Sequence, residues 1–343
     1  RDLFEGDPIK AIKRFEAALE QSPNGAMSLY WLSLALEDAG RLREARSATE
    51  RAYQRDPLAR DIAERFVSNL ILQRHFDEAD RVAERLLAHR PTSAAGFRAQ
   101  FMSLMAQARI ADAHAVLQEG VRATHREARL LEDLVEIYVL LGMEEAFKDA
   151  NGLPDLWIDF LINQGRCAEA APLAELESEI DPGDDGDILY LGAAKACAGQ
   201  VGEARALFED LIKKTEDSGA SIFNLEFLVS DLALMRLRDG DIQGGEALIT
   251  RIKTQLDENL KNWGEEWRHR HTHEARIAVL EGRATDGIAL LRQALALGLD
   301  APTLRMEFLF ASLREEPEYA AFINEYLAHL SGERTLIEQQ LVR

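Results

Sequence analysis

The side chains best suited to chemistry gather in the run Trp267-Arg268-His269-Arg270-His271-Thr272-His273. On a helix His269 and His273 stand one turn apart, the spacing at which two imidazoles grip a zinc ion in zinc proteases. No Glu follows His269 directly, no third ligand sits at a recognisable spacing, and His271 falls on the opposite face. Arg268 and Arg270 also repel a cation. The cluster reads as a structural or surface feature that stacks with Trp263 and Trp267, and a metal-dependent hydrolase built on it is the catalytic alternative. The acidic pairs Asp184-Asp185, Glu265-Glu266 and Glu315-Glu316 could form an acid and base only in differently polar pockets. They fall at turns and helix ends, where negative charge complements the helix dipole. A Gly-x-Ser-x-Gly elbow, a phosphate-cradling Gly-rich loop and a Cys/His pair at catalytic spacing are all missing. The two cysteines, Cys167 and Cys197, are too few for a disulfide scaffold or an all-Cys metal site and read as two packed thiols. We expect no catalytic residue, metal or cofactor.

Composition narrows the partners. In 343 residues, 47% are hydrophobic and 29% charged, the balance of a folded chain rather than a disordered acidic tail. Residues 1–150 carry 21 basic and 25 acidic side chains, and residues 151–343 carry 19 and 35, so most of the net charge of −20 lies in the second part. Nucleic acid, bound largely by cations that neutralise phosphates, is excluded as a direct ligand, and an anionic membrane surface is disfavoured. The longest apolar stretches, Phe66–Leu72 and Val135–Leu141, fall far short of the roughly 18 residues a membrane span needs. The chain opens at Arg1 without Met or a signal-like segment, which reads as a fragment with an unseen N-terminus. A cytoplasmic location is expected, with a periplasmic one left open.

The dominant signal is a period. Ala11, Ala45, Ala79 and Ala113 stand 34 residues apart, and Pro23, Pro57 and Pro91 keep the same interval. Gly6 and Gly40 precede the first two alanines by five residues. A second phase repeats the offsets with Gly165, Ala170 and Pro182, then Gly199 and Ala204, and looser copies follow at Gly240–Gly245 and Gly282–Gly287. Within one period, Asp7-Pro8 supplies an N-cap and a first-turn proline, and Ile9, Ile12, Phe15, Ala18 and Leu19 form a helical stripe. The next helix, Met27–Ala39, ends at Gly40 and offers Leu29, Leu32 and Leu36. Neither helix buries its stripe alone, so each unit is stable only when stacked.

Ala11, Phe15 and Pro23, then Ala45, Ala52 and Pro57, Ala204 with Phe208, and the pair Leu191-Gly192 resemble the tetratricopeptide repeat, a helix-turn-helix unit of 34 residues. The aromatic usual at the start of that unit is replaced by Leu29, Phe97, Leu131 or Ile188, and Thr49 stands where Phe is common. The resemblance implies an all-α, right-handed superhelical solenoid that binds proteins without catalysis. Leu291–Gly298 with Ser312–Tyr319 is similar to the C-terminal end of bacterial repeat arrays that follow winged-helix regulators or nucleotide-cyclase domains. That likeness implies an output domain ahead of this chain.

The spacing places a truncated first unit before units at 26–59, 60–93 and 94–127, a short fifth unit from Ala128, and a break at 143–154. Units at 154–184 and 185–218 follow, the insertion Asp217–Ser221 shifts the phase, and longer helices fill 222–282. The chain thus divides into a first sub-array at 1–150, a more irregular one at 151–300, and capping helices at 301–343. The first helix of each pair lines the concave face. Inward positions are Met27, Tyr30, Leu34 and Glu37, then Asp61, Glu64, Ser68 and Ile71, then Arg98, Met102 and Met105, then Arg129, Glu132 and Glu136. The Lys/Asn set by which some family members hold a C-terminal carboxylate is absent. Tyr30, Leu34, Met102 and Met105 form an adaptable apolar groove flanked by Glu37, Glu64, Glu132 and Glu136, with Arg98 also touching the partner. The best-fitting occupant is an amphipathic helix with basic edges. The competing readings are packing of these side chains between repeats, and a small-molecule or lipid sensor.

Overall fold

The structure, a computed structural model, describes residues 8–150, 154–180, 184–217, 226–264, 267–297 and 308–341. Among them are nineteen helices and no strand. A lone helix, α1 (Pro8–Gln21), leads into eight antiparallel pairs. Units 1 to 4 are α2 (Ala26–Asp38) with α3 (Leu42–Arg55), α4 (Arg60–Leu72) with α5 (Phe76–His89), α6 (Ala94–Ala106) with α7 (Ile110–Ala123), and α8 (Ala128–Leu141) with α9 (Glu144–Asp149). Units 5 to 8 are α10 (Pro154–Asn163) with α11 (Cys167–Ile180), α12 (Asp185–Cys197) with α13 (Val201–Asp217), α14 (Glu226–Arg238) with α15 (Ile242–Trp263), and α16 (Arg270–Leu280) with α17 (Ala284–Ala296). Two further helices close the described chain, α18 (Phe308–Ala311) and α19 (Pro317–Leu341). The chain is an all-α helical repeat solenoid. Gly6, Pro182, Ser221, Gly298 and Ala301, which mark the expected pattern and its breaks, lie outside the described residues, as does the pair Glu265-Glu266.

Two backbone devices repeat along the array. The turn between the helices of each of the first four units needs a left-handed residue, and the positions are Gly40, Arg74, Ala108 and Gly142, with φ of 71°, 59°, 56° and 63°. Their spacing is the 34-residue period, kept whether or not glycine fills the site. A side chain at such a φ costs roughly 1–2 kcal/mol, partly offset by the lower entropy of the unfolded chain. Elsewhere a small residue lets helices touch: a Cβ on Gly192 of α12 would come within 2.2 Å of the Phe208 ring of α13.

Unit 4 shows how the period breaks. Its second helix, α9, has only six residues, yet a single apolar cluster continues from Phe97 and Leu117 through Ile137, Phe147 and Phe160 to Ala194. Beyond it, Cys167 at the start of α11 and Cys197 at the end of α12 are joined as a disulfide, their Cα atoms 5.4 Å apart. This corrects the expectation of two packed thiols. The two helices run antiparallel, so residues 30 apart at their opposite ends become neighbours. Closing a loop of that length removes unfolded-state entropy of about 3–4 kcal/mol.

The solenoid then returns on itself. The Arg268 N–H donates to the Leu72 carbonyl at 3.2 Å, and Arg74 donates to the Leu297 carbonyl at 3.3 Å. Arg43 and Arg46 donate to the carbonyls of Lys261 and Asn262 at 3.1 and 3.2 Å. Leu42 and Leu72 pack there with Trp263, Trp267 and Leu256. Units 1 and 2 thereby rest on the α15–α17 region, although more than 200 residues separate them in sequence.

The last two helices do more than end the array. α18 enters against α12, α14 and α16, the first helices of units 6 to 8. Asp231 of α14, itself buried, accepts from the N–H groups of Phe308 and Leu309 at 3.0 and 2.7 Å, while Leu309, Phe310, Leu313 and Phe322 are buried in the core of these units. α19 next packs Tyr326, Leu330 and Ile337 into the core of units 3 to 6. Along its length Arg334 donates to the Gly142 carbonyl at 3.3 Å, Glu333 accepts from the Ala111 N–H at 2.6 Å, and Gln340 meets His114 Nδ1 at 3.0 Å. The other nitrogen of His114 faces the Tyr138 hydroxyl at 3.3 Å.

Two predictions follow from turn and tail. Ala108→Gly should raise stability by about 0.5–1 kcal/mol, read as a higher urea midpoint at unchanged m. Burial lowers the pKa of His114 from its ordinary 6.5, with the Gln340 contact opposing. The packed state binds a proton less readily than the released one, so this contribution is intact above pH 6.5 and lost as pH falls below it. Amide exchange in α19, corrected for intrinsic rate, should accelerate on acidification to below that value, and His114→Gln should flatten the dependence.

Candidate functional site

The candidate site is the inner face of units 1 to 4. The first helices α2, α4, α6 and α8 stand side by side because each has a second helix packed behind it, and positions one period apart align across units. Tyr30, Leu34 and Glu37 are half-buried on α2, and Met102 and Met105 are half-buried on α6. Glu132 and Glu136 are exposed on α8. Met102 packs against the apolar cores of both neighbouring regions, whereas Met105 meets one of them. Burial raises the Tyr30 phenol above its ordinary pKa of 10.0, and the charge of Asp61 adds to the shift. Glu37 is paired with Arg65 of α4.

Glu64 and Arg98 differ from the others because they bind each other. Arg98 donates to Glu64 at 2.8 Å on one side and to Asp133 at 2.9 Å on the other, linking α4, α6 and α8. Glu64 also receives Arg60 at 3.3 Å and Arg129 at 3.2 Å, and Arg60 reaches Glu127 at 3.0 Å. The Glu64 and Asp133 side chains are only 6% and 3% exposed, so these are interior carboxylates, not a rim. Burial raises the Asp133 carboxyl above its ordinary pKa, with Arg98 opposing it. Arg98 itself is pushed up, since Asp133 and Glu64 outweigh the effect of its burial. Sequence reasoning missed Asp133 and Arg60 as members of this network. The signal was present in part, because Glu64 and Arg98 are one period apart and Asp133 is 35 residues further on.

The other candidate residues are spread out. His269 stands just ahead of α16 rather than in it, without a capping hydrogen bond from its side chain, and Trp267 meets His269 and His273 with ring centroids 5.8 and 4.8 Å apart. His271 contacts Glu274 at 3.1 Å. Among the described residues no group of three or more His, Cys, Asp or Glu could hold a metal. Asp184 caps α12 by accepting from Gly186 and Asp187, and Asp185 pairs with Lys214 at 2.7 Å. On α10 the Asp159 carboxyl is pushed up to about 6 by burial, with the Asn163 amide opposing. No described helix is long and apolar enough to cross a membrane.

Residues 3–60, spanning the first helix and unit 1, match the family model described as "Tetratricopeptide repeat". That match covers the start of the chain, and the units after it repeat the same helical-pair architecture. No curated protein matches it. Among solved structures it is similar to the APC/C hetero-tetramer Cut9-Hcn1, at 13% identity over 89% of this chain and 59% of that one, with a TM-score of 0.49. The chain thus spans about six-tenths of that structure's length. The human IFIT1 dimer with PPP-AAAA is similar at 15% identity over 86% of this chain and 69% of that one, with a TM-score of 0.42. A tetratricopeptide repeat protein from Parabacteroides merdae is similar at 12% identity over 83% and 97% of the two chains, with a TM-score of 0.34.

Units 2 to 4 therefore carry a charged ladder across their first helices. Arg98→Met should cost roughly 3–5 kcal/mol, because it takes from buried Asp133 its ion-pair partner and from Glu64 the nearest of its three cations. Adding Glu64→Gln and Asp133→Asn to that variant should recover most of the loss in chemical denaturation. Equal stability of the single variant and the wild type would mean that the ladder is solvated.

Proposed function

We propose that this chain is a noncatalytic protein-interaction module, part of a bacterial regulatory or scaffolding protein, whose inner face over units 1 to 4 binds an amphipathic helix with basic edges. The observation that carries this reading is the asymmetry of the solenoid's interior. Units 6 to 8 press their first helices onto the chain's own α18. Among the described residues, no such segment crosses α2, α4 and α6, although the α15–α16 region meets Leu72 at the end of α4 and α19 packs on α8. On that open side the half-buried Tyr30, Leu34, Met102 and Met105 offer apolar area that a partner's nonpolar face can cover. Asp61, Glu132 and Glu136 are exposed around them and favour cationic edges. Glu64 and Arg98 act in this reading by keeping the inner helices in register, and Glu37 shares that role through Arg65. The disulfide Cys167–Cys197 favours an oxidising compartment over the cytoplasm expected from sequence.

The test uses three synthetic helical peptides with the same leucine face and Lys, Gln or Glu along both edges. Fluorescence anisotropy should rank Lys above Gln above Glu, with affinity falling as salt rises. Met102→Glu combined with Met105→Glu should weaken the Lys peptide by about tenfold or more, roughly 1.4 kcal/mol, at unchanged helical circular dichroism. Equal binding of all three peptides would remove the charge argument. Loss of helicity in the double variant would assign the methionines to the core.

A further inference from the structure

The seam where units 1 and 2 meet the α15–α16 corner contains buried polar atoms that bond to nothing. They are Asn69 Nδ2 on α4, Nε1 of Trp263 and of Trp267, and the Thr272 hydroxyl on α16. Their residues are only 5%, 9%, 3% and 4% exposed. One turn before Asn69 on the same face, Arg65 has its Nε buried and likewise without a partner. Buried polar groups in native proteins are almost always paired, and each orphan calls for an explanation such as a bound water, ion or ligand.

The residues that carry these atoms line one seam. Asn69 lies one turn before Leu72, whose carbonyl receives the Arg268 N–H and whose side chain packs against Trp263 and Trp267. The Asn69 carbonyl accepts from Gln73 at 2.9 Å, Gln73 accepts from Arg46 at 3.1 Å, and Arg46 reaches the Asn262 carbonyl just before Trp263. The Arg46 guanidinium also lies 5.9 Å from the centroid of the Trp263 ring. Thr272 follows Trp267 by little more than a turn of chain, and the Trp267 ring packs on its neighbour His273.

The chemistry of the missing partner can be read from the orphans. Indole and guanidinium N–H groups only donate, and the Asn69 orphan is the amide nitrogen, so the partner must accept hydrogen bonds from several directions. A carboxylate offers about four lone-pair sites on two oxygens. The Arg46 guanidinium, which Glu50 meets only at 3.7 Å, puts cationic charge beside Trp263, and the two indole rings supply flat apolar walls. We propose that this seam is a binding site for the carboxylate of a small organic acid, held by Asn69, Trp263, Trp267 and Thr272. Such a ligand would bridge both ends of the closed superhelix, so its binding would be linked to closure and not only to local order.

The test measures thermal midpoint and calorimetric binding for the full chain with acetate, succinate and benzoate, against chloride at matched ionic strength. At least one acid should bind saturably and raise the midpoint. Thr272→Val and Trp267→Phe remove a hydroxyl and an indole N–H while keeping most of the packing, and each should weaken that acid by about tenfold or more. Circular dichroism of both variants must match the wild type, and Trp263→Phe replaces either one that fails to fold. Saturable binding by none of the three acids would overturn the site and leave the orphans to ordered water. Binding of equal strength to wild type and variants would overturn it too, by placing the acid elsewhere.

Discussion

Alanine where the two helices meet in units 1 to 3, 5 and 6 sets how closely their backbones approach, and the solenoid's shape is built from that repeated distance. Ala11, Ala45, Ala79, Ala113, Ala170 and Ala204 are all at most 4% exposed. A larger side chain there would overpack a contact that recurs along the array, so its effect would propagate to the stacking of every later unit. The same alanine and the same left-handed turn place each helix pair at a similar offset from the last. Repetition of one offset is what lets Leu72 meet Arg268, a contact no single unit encodes. Closure then creates an interior, and only with an interior does it matter which side chains face inward.

Much of this architecture was legible in the sequence. The units expected at 26–59, 60–93 and 94–127 open where α2, α4 and α6 begin. The compressed fourth unit and the long α15 were visible as changes in the spacing of Gly142, Gly240 and Gly282. Arg74 and Ala108 hid their left-handed turns because neither residue advertises a positive φ, and only the period exposes them. The disulfide was hidden for a different reason: two cysteines 30 residues apart signify nothing until α11 and α12 are known to be antiparallel neighbours. The seam and the path of α19 are long-range contacts, which depend on the accumulated rotation of the units and not on any local pattern.

The inner face was legible by position but less so by role. Taking every 34th residue as inward puts Glu64 beside Arg98, and the two do meet in an ion pair. It does not reveal that residues on one surface in adjacent units lie within reach of each other and so can neutralise one another. The register also slips by one in unit 4, which brings Asp133 rather than Glu132 against Arg98. Glu132 and Glu136 consequently stay exposed while Asp133 is buried, although all three carboxylates look alike in sequence. A buried charge ladder is poor at adding stability, because desolvation cancels much of the Coulomb gain. Its value is in register: sliding α6 by one residue would leave Asp133 in the interior without its cation, whereas sliding an all-leucine interface would cost far less.

Charge and occupancy together divide labour between the two parts of the chain. Residues 151–343 contain 35 acidic against 19 basic side chains, which would suit a basic ligand better than the nearly balanced first part does. Yet the first helices of units 6 to 8 already pack on Leu309 and Phe310, and Asp231 spends its carboxylate on the N–H groups of that segment. Negative charge in the second part therefore acts through space and not by contact. Its field falls off over about 8 Å at physiological salt, so it can raise the encounter rate of a basic partner without fixing where the partner docks. Under the proposed function, docking falls to the half-buried apolar side chains of units 1 to 4, where a short-range and salt-insensitive term would choose among cationic helices.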